Sequence, residues 1–317
     1  MKNDYPLEEV EGEIIQIDGK PLVDVKKMPL DEWLNSLGDK NFYIPDWHFP
    51  TDQHKDEYIS KIHDYSEKEF KKLLRHFLIE SGSFPGDISG VMFRLECRPD
   101  LKLEFDRKIL SGKNPWEGIM WTLDLLPDDP ESTLKVMRSY FFIHAQQLPD
   151  GRLVGLSHAM SLIRARYLKS PQTEDEIYEM FLKISPRDFE ALIARLYKEM
   201  GYTTQLTQYS QDDGADIICY RDDPGRRELL VVQCKRYAKN VGLKHVKELL
   251  GAVTDRKATK GVLITPGEFT RPAIQKADDN PQIELLGSSA LQSLFVQHLG
   301  ARWVIYLDRL IIEGNRC

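Results

Sequence analysis

Two short polar segments, each next to an apolar run, carry the side chains best suited to metal-dependent chemistry. Asp216 precedes the apolar run 217–220, and Gln233 and Lys235 close the apolar run 229–232. Carboxylate and amide oxygens are hard ligands of the kind that Mg²⁺ binds. A lysine beside such an ion can orient an attacking water or stabilise a charged phosphate. These residue types therefore predict metal-assisted hydrolysis of a phosphodiester bond.

A predicted β-hairpin brings the two segments together. Both apolar runs are rich in β-branched residues, which is typical of buried strands, and segment 221–226 between them has the composition of a tight turn. If the turn centres on its Pro-Gly step, Asp216 lies opposite Gln233, and if it centres one residue earlier the two lie diagonally. Side chains alternate along a strand, so Asp216, Gln233 and Lys235 share one face in either register.

A third segment can add a second carboxylate. Residues 185–188 read Ser-Pro-Arg-Asp, which is typical of a helix start with a serine N-cap and proline at the first helical position. An apolar stripe at helical spacing follows, and Glu190 lies at the edge of that stripe. A carboxylate at this edge can reach a neighbouring strand end. The sequence leaves open whether Glu190 binds a metal or only orients water.

The order of these segments resembles the catalytic domain of Mrr-type restriction endonucleases, a branch of the PD-(D/E)xK nuclease superfamily. The resemblance covers about residues 185–298, roughly a third of the chain, and its pieces are specific only as an ordered set. The matching segments are Phe189-Glu190, Met200-Gly201-Tyr202, 210–216, 232–237, 261–265 and Phe269-Thr270.

The resemblance implies a catalytic site formed by Glu190, Asp216, Gln233 and Lys235. It also implies Mg²⁺, which Mn²⁺ can replace, held by Asp216, Gln233 and the backbone carbonyl of Cys234. DNA is the implied substrate, with modified DNA as one form of it, and restriction or antiphage defence is the implied biology. A homodimer or higher oligomer is expected, because each chain carries one site and a double-strand cut needs two.

Two positions keep other functions open. Gln233 stands where many superfamily members have Glu, although the Mrr branch typically has Gln, and Asp213 stands where relatives usually have Gly. One alternative is therefore a DNA-binding or sensor module whose nuclease fold no longer cuts. Another alternative is a resolvase of branched DNA, since related folds resolve junctions.

The charge distribution supports a nucleic-acid partner for the second half of the chain. The net charge is −7, but residues 1–185 carry 24 Lys and Arg against 33 Asp and Glu, whereas residues 186–317 carry 19 against 17. A basic stretch follows the predicted site, and cations there can hold phosphates. The candidate DNA-binding residues are Arg236, Lys239, Lys244 and Lys247.

The predicted architecture is α/β (α+β), with an α-β-β-β-α-β core and a mixed sheet in the second half. The domains expected are a mainly helical accessory domain over 1–170, a linker helix over 171–184 and the nuclease-like domain over 185–317. In the first domain we expect a turn at 148–152 and a helix that begins at Ser157.

Composition fits a soluble cytoplasmic protein, with 41% hydrophobic and 29% charged residues. No apolar run approaches the ~20 residues that a membrane-spanning helix needs, and the N-terminal residues are too polar for a secretory signal. The four cysteines show no C-x-x-C spacing, so they predict reduced thiols instead of a zinc site or a disulfide framework.

Overall fold

The computed structural model describes residues 16–17, 20–21, 24–37, 47–82, 87–97, 103–171, 173–207, 214–237 and 239–316. The chain divides into two compact units, Met1–Leu162 and Ile163–Cys317. The sequence predicts the break a few residues later, at about 170. Asp213 lies outside the described residues, so its effect on the site stays an open prediction.

The first unit is mainly helical over its described residues. Its pair of two-residue strands, β1 (Gln16–Ile17) and β2 (Lys20–Pro21), is antiparallel. Its helices are α1 (Leu30–Ser36), α2 (Asp52–Ser60), α3 (Glu67–Phe77), α4 (Asp87–Cys97), α5 (Glu104–Leu110), α6 (Pro130–His144) and α7 (Asp150–Tyr167), of which α7 continues past the unit boundary. Short 3₁₀ turns cover Val25–Lys27 and Met120–Leu125. Large buried side chains, among them Trp33, Phe49, Phe70 and Phe77, form its core.

A turn precedes helix α7 but ends at residue 149, earlier than the expected 148–152, and the helix start expected at Ser157 is wrong. The helix begins at Asp150, and Ser157 lies in its interior. Gly155 has a packing role, because a Cβ there would lie 2.1 Å from the backbone oxygen of Trp47. Gly155 therefore permits close approach of the helix to a neighbouring segment instead of ending it.

The second unit contains a five-stranded mixed sheet between helices. Its elements are α8 (Glu174–Lys183), α9 (Pro186–Glu199), β3 (Thr203–Leu206), β4 (Ile217–Asp223), β5 (Arg226–Cys234), α10 (Leu243–Asp255), β6 (Lys260–Ile264), α11 (Arg271–Asp278), β7 (Ile283–Leu286), α12 (Ser288–Leu299), a 3₁₀ turn (Trp303–Tyr306) and α13 (Leu307–Asn315). The strand order is β3-β4-β5-β6-β7, with β3, β4 and β5 antiparallel and β5, β6 and β7 parallel. The α-β-β-β-α-β order and the α/β class are therefore confirmed.

Alternation along the strands sends side chains into two separate cores. Val232 and Ile264 pack with Phe189, Leu196 and other residues of α8, α9, α12 and α13. Val231 and Leu263 pack on the opposite face with residues of α10 and α11. The segment expected to link the domains is helix α8, whose Phe181 is buried in the first of these cores. Both faces of the sheet are covered, as is usual where parallel strands are present.

Candidate active site

The hairpin of β4 and β5 has the first of the two registers that the sequence allows. Asp223 pairs with Arg226 and Ile217 pairs with Val232, so the turn centres on the Pro-Gly step. The Asp216 N–H donates to the Val232 oxygen at 2.9 Å, and continuing the ladder by one residue places Asp216 opposite Gln233. The two predicted ligands thus share one face at one end of the sheet.

Asp216 is held by the strand that carries its predicted partners. Its Oδ2 accepts a hydrogen bond of 2.6 Å from the Cys234 N–H, and its backbone oxygen accepts one of 3.0 Å from the Thr207 N–H. Burial raises the pKa of the Asp216 carboxyl, while the Cys234 N–H and the charges of Lys235 and Arg187 oppose that rise. The carboxylate is fixed in direction and is more basic than one in water.

Gln233 is buried, with 3% of its surface exposed, and its Oε1 finds no hydrogen-bond donor in the described part of the chain. A buried acceptor without a partner costs about 1–3 kcal/mol, so most such atoms in proteins are satisfied. A divalent cation between Asp216 and Gln233 would satisfy this oxygen. The donor set of carboxylate and amide oxygens fits a hard cation such as Mg²⁺.

Glu190 lies on α9, near enough to Asp216 and Lys235 for their charges to act on it. Burial raises the pKa of its carboxyl, the nearby charge of Asp216 raises it further, and Arg187 and Lys235 act in the opposite direction. The Oε2 atom of Glu190 accepts a hydrogen bond of 3.1 Å from Arg187 Nη1. The structure thus brings Glu190 into electrostatic reach of Asp216 and Lys235, as the sequence predicts.

In the described part of the chain, Glu190 and Asp216 are not joined by a third acidic, histidine or cysteine ligand. Among the described residues, no group of three or more His, Cys, Asp or Glu side chains is close enough to hold a metal ion. A cation here would have the carboxylates of Glu190 and Asp216 nearby, with the Gln233 amide and a backbone carbonyl as neutral ligands. Such oxygen-rich sets with few charges suit Mg²⁺, which keeps several of its waters.

Cys234 is the last residue of β5, and Lys235 directly follows it. The Lys235 N–H donates to the Ile264 oxygen at 2.8 Å, which extends the pairing with β6 to the site, and the charge of Lys235 favours ionisation of both carboxyls. The Cys234 side chain packs against the core on the α9 side. Burial raises the pKa of its thiol well above the usual range, so the thiol stays neutral and only the Cys234 carbonyl is suited to binding a hard cation.

The predicted DNA-binding residues lie in different environments. Lys239 and Lys247 are exposed, and Lys244 is exposed with its Nζ 3.6 Å from Glu248 Oε1. Arg236 is half-buried and donates from Nη1 to the Leu182 oxygen at the end of α8. The three lysines are therefore open to a large ligand, whereas the Arg236 guanidinium is engaged within the unit.

Two residues that contact the site are missing from the sequence prediction. Arg187 contacts Glu190, and it also donates to the Thr207 oxygen at 3.0 Å. The Thr207 N–H donates to the backbone oxygen of Asp216, and Thr207 Oγ1 donates to the backbone oxygen of Ala215. The i, i+3 spacing of Arg187 and Glu190 on a helix indicates the first contact, but no local pattern indicates that Thr207 lies beside them.

The comparisons with known proteins agree with the resemblance. Residues 181–295 match the Mrr_cat family, described as restriction endonuclease, so the resemblance to Mrr-type catalytic domains is confirmed for this segment. The type IV methyl-directed restriction enzyme EcoKMrr of Escherichia coli (strain K12) is 30% identical over 159 residues. That match covers 49% of this chain and 49% of the relative, so the chain spans about half the length of the curated relative it matches.

Two solved structures share part of the architecture at low similarity. The DNA modification-dependent restriction endonuclease AspBHI is 22% identical with a TM-score of 0.38, over 46% of this chain and 41% of that one. The MspJI restriction endonuclease in complex with a 27-mer oligonucleotide is 20% identical with a TM-score of 0.33, over 54% of this chain and 45% of that one.

In the described residues of this protein, no helix has the length and hydropathy needed to span a membrane.

Proposed function

We propose that this protein is a Mg²⁺-dependent DNA endonuclease that hydrolyses phosphodiester bonds in restriction or antiphage defence. The observation that supports this most is the buried Gln233 Oε1, which has no hydrogen-bond donor among the described residues and lies on the same sheet face as Asp216. Such an arrangement is costly unless something fills it, and a divalent cation matches its chemistry. The match of residues 181–295 to a restriction endonuclease family supports a nuclease.

The chain's own residues have separate roles in this proposal. A bound Mg²⁺ or Mn²⁺ would polarise the phosphate and lower the pKa of a bound water. Asp216, Gln233 and the Cys234 carbonyl would hold that ion, with Glu190 as a further ligand or as the residue that orients water. Lys235, whose charge already acts on both carboxyls, would orient the attacking water and stabilise the added negative charge on the phosphate.

The substrate and the biological setting follow from charge and from the curated relative. The exposed side chains of Lys239, Lys244 and Lys247 are suited to phosphate contacts, while a DNA contact by the half-buried Arg236 stays a prediction. The relative EcoKMrr is named a methyl-directed restriction enzyme, which makes modified DNA the first substrate to test. A cytoplasmic homodimer or higher oligomer is the expected working form.

The test is cleavage of methylated and unmethylated plasmid DNA with and without Mg²⁺. We expect nicking that requires the ion and that is lost in Lys235→Ala and Asp216→Ala. Lys260→Ala is the matched control, since Lys260 begins β6 at the opposite end of the sheet and pairs only with Glu284 among the described residues. Undiminished cleavage by Lys235→Ala would remove the assignment.

The same assay separates the two alternatives. A sensor module predicts salt-sensitive DNA binding with no cleavage under any divalent ion. A junction resolvase predicts that a four-way DNA is cut in preference to the linear and methylated duplexes.

A further inference from the structure

We propose that Arg187 is a positioning residue that holds Glu190 in place for a divalent cation by linking its carboxylate to the backbone that carries Asp216. This inference rests on the proposed function, since it assigns a role within the same cation site. Neither the spacing of the predicted ligands nor the family match identifies Arg187 as part of the site.

A continuous path of hydrogen bonds joins the two carboxylate-bearing segments. Arg187 Nη1 donates to Glu190 Oε2 at 3.1 Å and to the Thr207 oxygen at 3.0 Å. The Thr207 N–H donates to the Asp216 oxygen at 3.0 Å, and Thr207 Oγ1 donates to the Ala215 oxygen at 2.7 Å. The location of the Glu190 carboxylate relative to Asp216 is therefore set by directional contacts, and Arg187 is the only side chain of this path that touches Glu190.

The start of α9 fixes where Arg187 stands. Ser185 caps the helix by accepting from the Asp188 N–H at 3.0 Å, and Pro186 occupies the first helical position. Arg187 and Glu190 are thus one turn apart on a helix whose beginning is well defined. Only 14% of the Glu190 side chain is exposed, against 34% for Arg187, so the pair lies at the rim of the site and is unlike a freely solvated surface pair.

Charge and position give opposite expectations for cation binding, which makes the role of Arg187 testable. If Arg187 acted only through its positive charge, its removal would strengthen cation binding, because a like charge near the ion would be lost. If it positions Glu190, its removal would weaken cation binding, because the carboxylate would lose its orientation. Residues that orient metal ligands typically contribute 10–100-fold to metal affinity.

The experiment measures Mn²⁺ binding to the metal-free full-length protein by electron paramagnetic resonance, without DNA. We expect Arg187→Ala to weaken Mn²⁺ binding about tenfold. Arg187→Lys keeps the charge but not the planar fork, so its affinity should lie between those of Arg187→Ala and the wild type. Arg195→Ala is the matched control: Arg195 lies on the same helix, pairs with Glu199 and Glu313, and should leave Mn²⁺ affinity unchanged.

A double-mutant cycle tests whether Arg187 acts through Glu190. Arg187→Ala added to Glu190→Gln should cause no further loss of Mn²⁺ affinity, because the carboxylate that it positions is already gone. Tighter Mn²⁺ binding by Arg187→Ala, equal losses in both backgrounds, or a wild-type protein that binds no Mn²⁺ would each overturn the inference. If the cycle behaves as expected and no DNA is cut, the proposed nuclease function fails while the positioning role stands.

Discussion

Replacing Gly314 by alanine is predicted to loosen the helix pair that carries Glu190. Helix α13 crosses α9 so closely that a Cβ on Gly314 would lie 1.9 Å from the Ala191 oxygen and 2.6 Å from its carbonyl carbon. Ala191 directly follows Glu190 in the chain. The crossing therefore depends on the missing side chain of Gly314, and any shift it causes reaches the backbone next to the site.

The size of the effect follows from two opposing contributions. Ordinary van der Waals contact begins at about 3.4 Å, so the helices would have to separate by about 1.5 Å. Overpacking of this kind costs ~1–3 kcal/mol, and a backbone obstacle places it near the upper end. Alanine is favoured over glycine in a helix by ~1 kcal/mol, which leaves a net loss of about 2 kcal/mol. For a unit of this size that corresponds to a melting temperature lower by about 4–8 °C.

Thermal and denaturant unfolding of the full chain measures the change in melting temperature and in the free energy of unfolding. A matched glycine-to-alanine control separates the packing effect from the helix-propensity effect. Gly251 lies in the interior of α10, is exposed, and has open space where a Cβ would be. Gly251→Ala should therefore gain up to about 1 kcal/mol from helix propensity alone. A Gly314→Ala protein that is stabilised like Gly251→Ala, with unchanged nicking, would refute the close crossing.

Two further predictions concern buried carboxylates. Burial raises the folded-state pKa of Asp216, so its contribution to stability is full below the unfolded pKa and is lost as the pH rises through the folded value. Asp216→Asn should thus melt higher than the metal-free wild type at pH 7.5, with the gap closing toward about pH 4; a gap independent of pH in calorimetry contradicts this. Asp308, with 5% of its side chain exposed, forms a salt bridge with Arg164 at 2.6 Å. Asp308→Ala should lower the free energy of unfolding in urea by about 3–5 kcal/mol, because it leaves a largely buried arginine without its carboxylate. A decrease below about 1 kcal/mol would mean that the pair contributes no more than a surface salt bridge.

The parts of the site that the sequence predicts are those set by local rules. The composition of segment 221–226 predicts the hairpin, and the period of two then places Asp216 and Gln233 on one face whichever turn forms. Ser185 and Pro186 likewise define the start of α9, and this places Glu190 in its second turn. Local rules are sufficient here because each position can be counted along one strand or helix from a recognisable turn or cap.

The parts that the sequence does not predict depend on packing between distant segments. Gly155 lies between the turn and the helix start that the sequence predicts, but the structure places it inside a helix where its missing side chain permits close approach to Trp47. Arg236 belongs to a basic stretch, yet its guanidinium bonds to the Leu182 oxygen, 54 residues earlier. The contact of Arg187 with Thr207 spans 20 residues and requires the sheet to be in place. Each of these partners is known only once the tertiary fold is known.

The side chains of Glu190, Asp216 and Gln233 destabilise the fold where they stand, which points to a functional reason for their presence. The carboxyls of Glu190 and Asp216 are both partly buried, burial raises the pKa of each, and the charge of Asp216 also opposes ionisation of Glu190. The Oε1 atom of Gln233 is buried without a donor among the described residues, although a leucine there would fill the space without that cost. A cation bound between them, as we propose, would reverse both terms at once, since it would neutralise the carboxylates and satisfy the amide oxygen. On this proposal, a substitution that stabilises the metal-free protein at Glu190, Asp216 or Gln233 should also weaken binding of the ion.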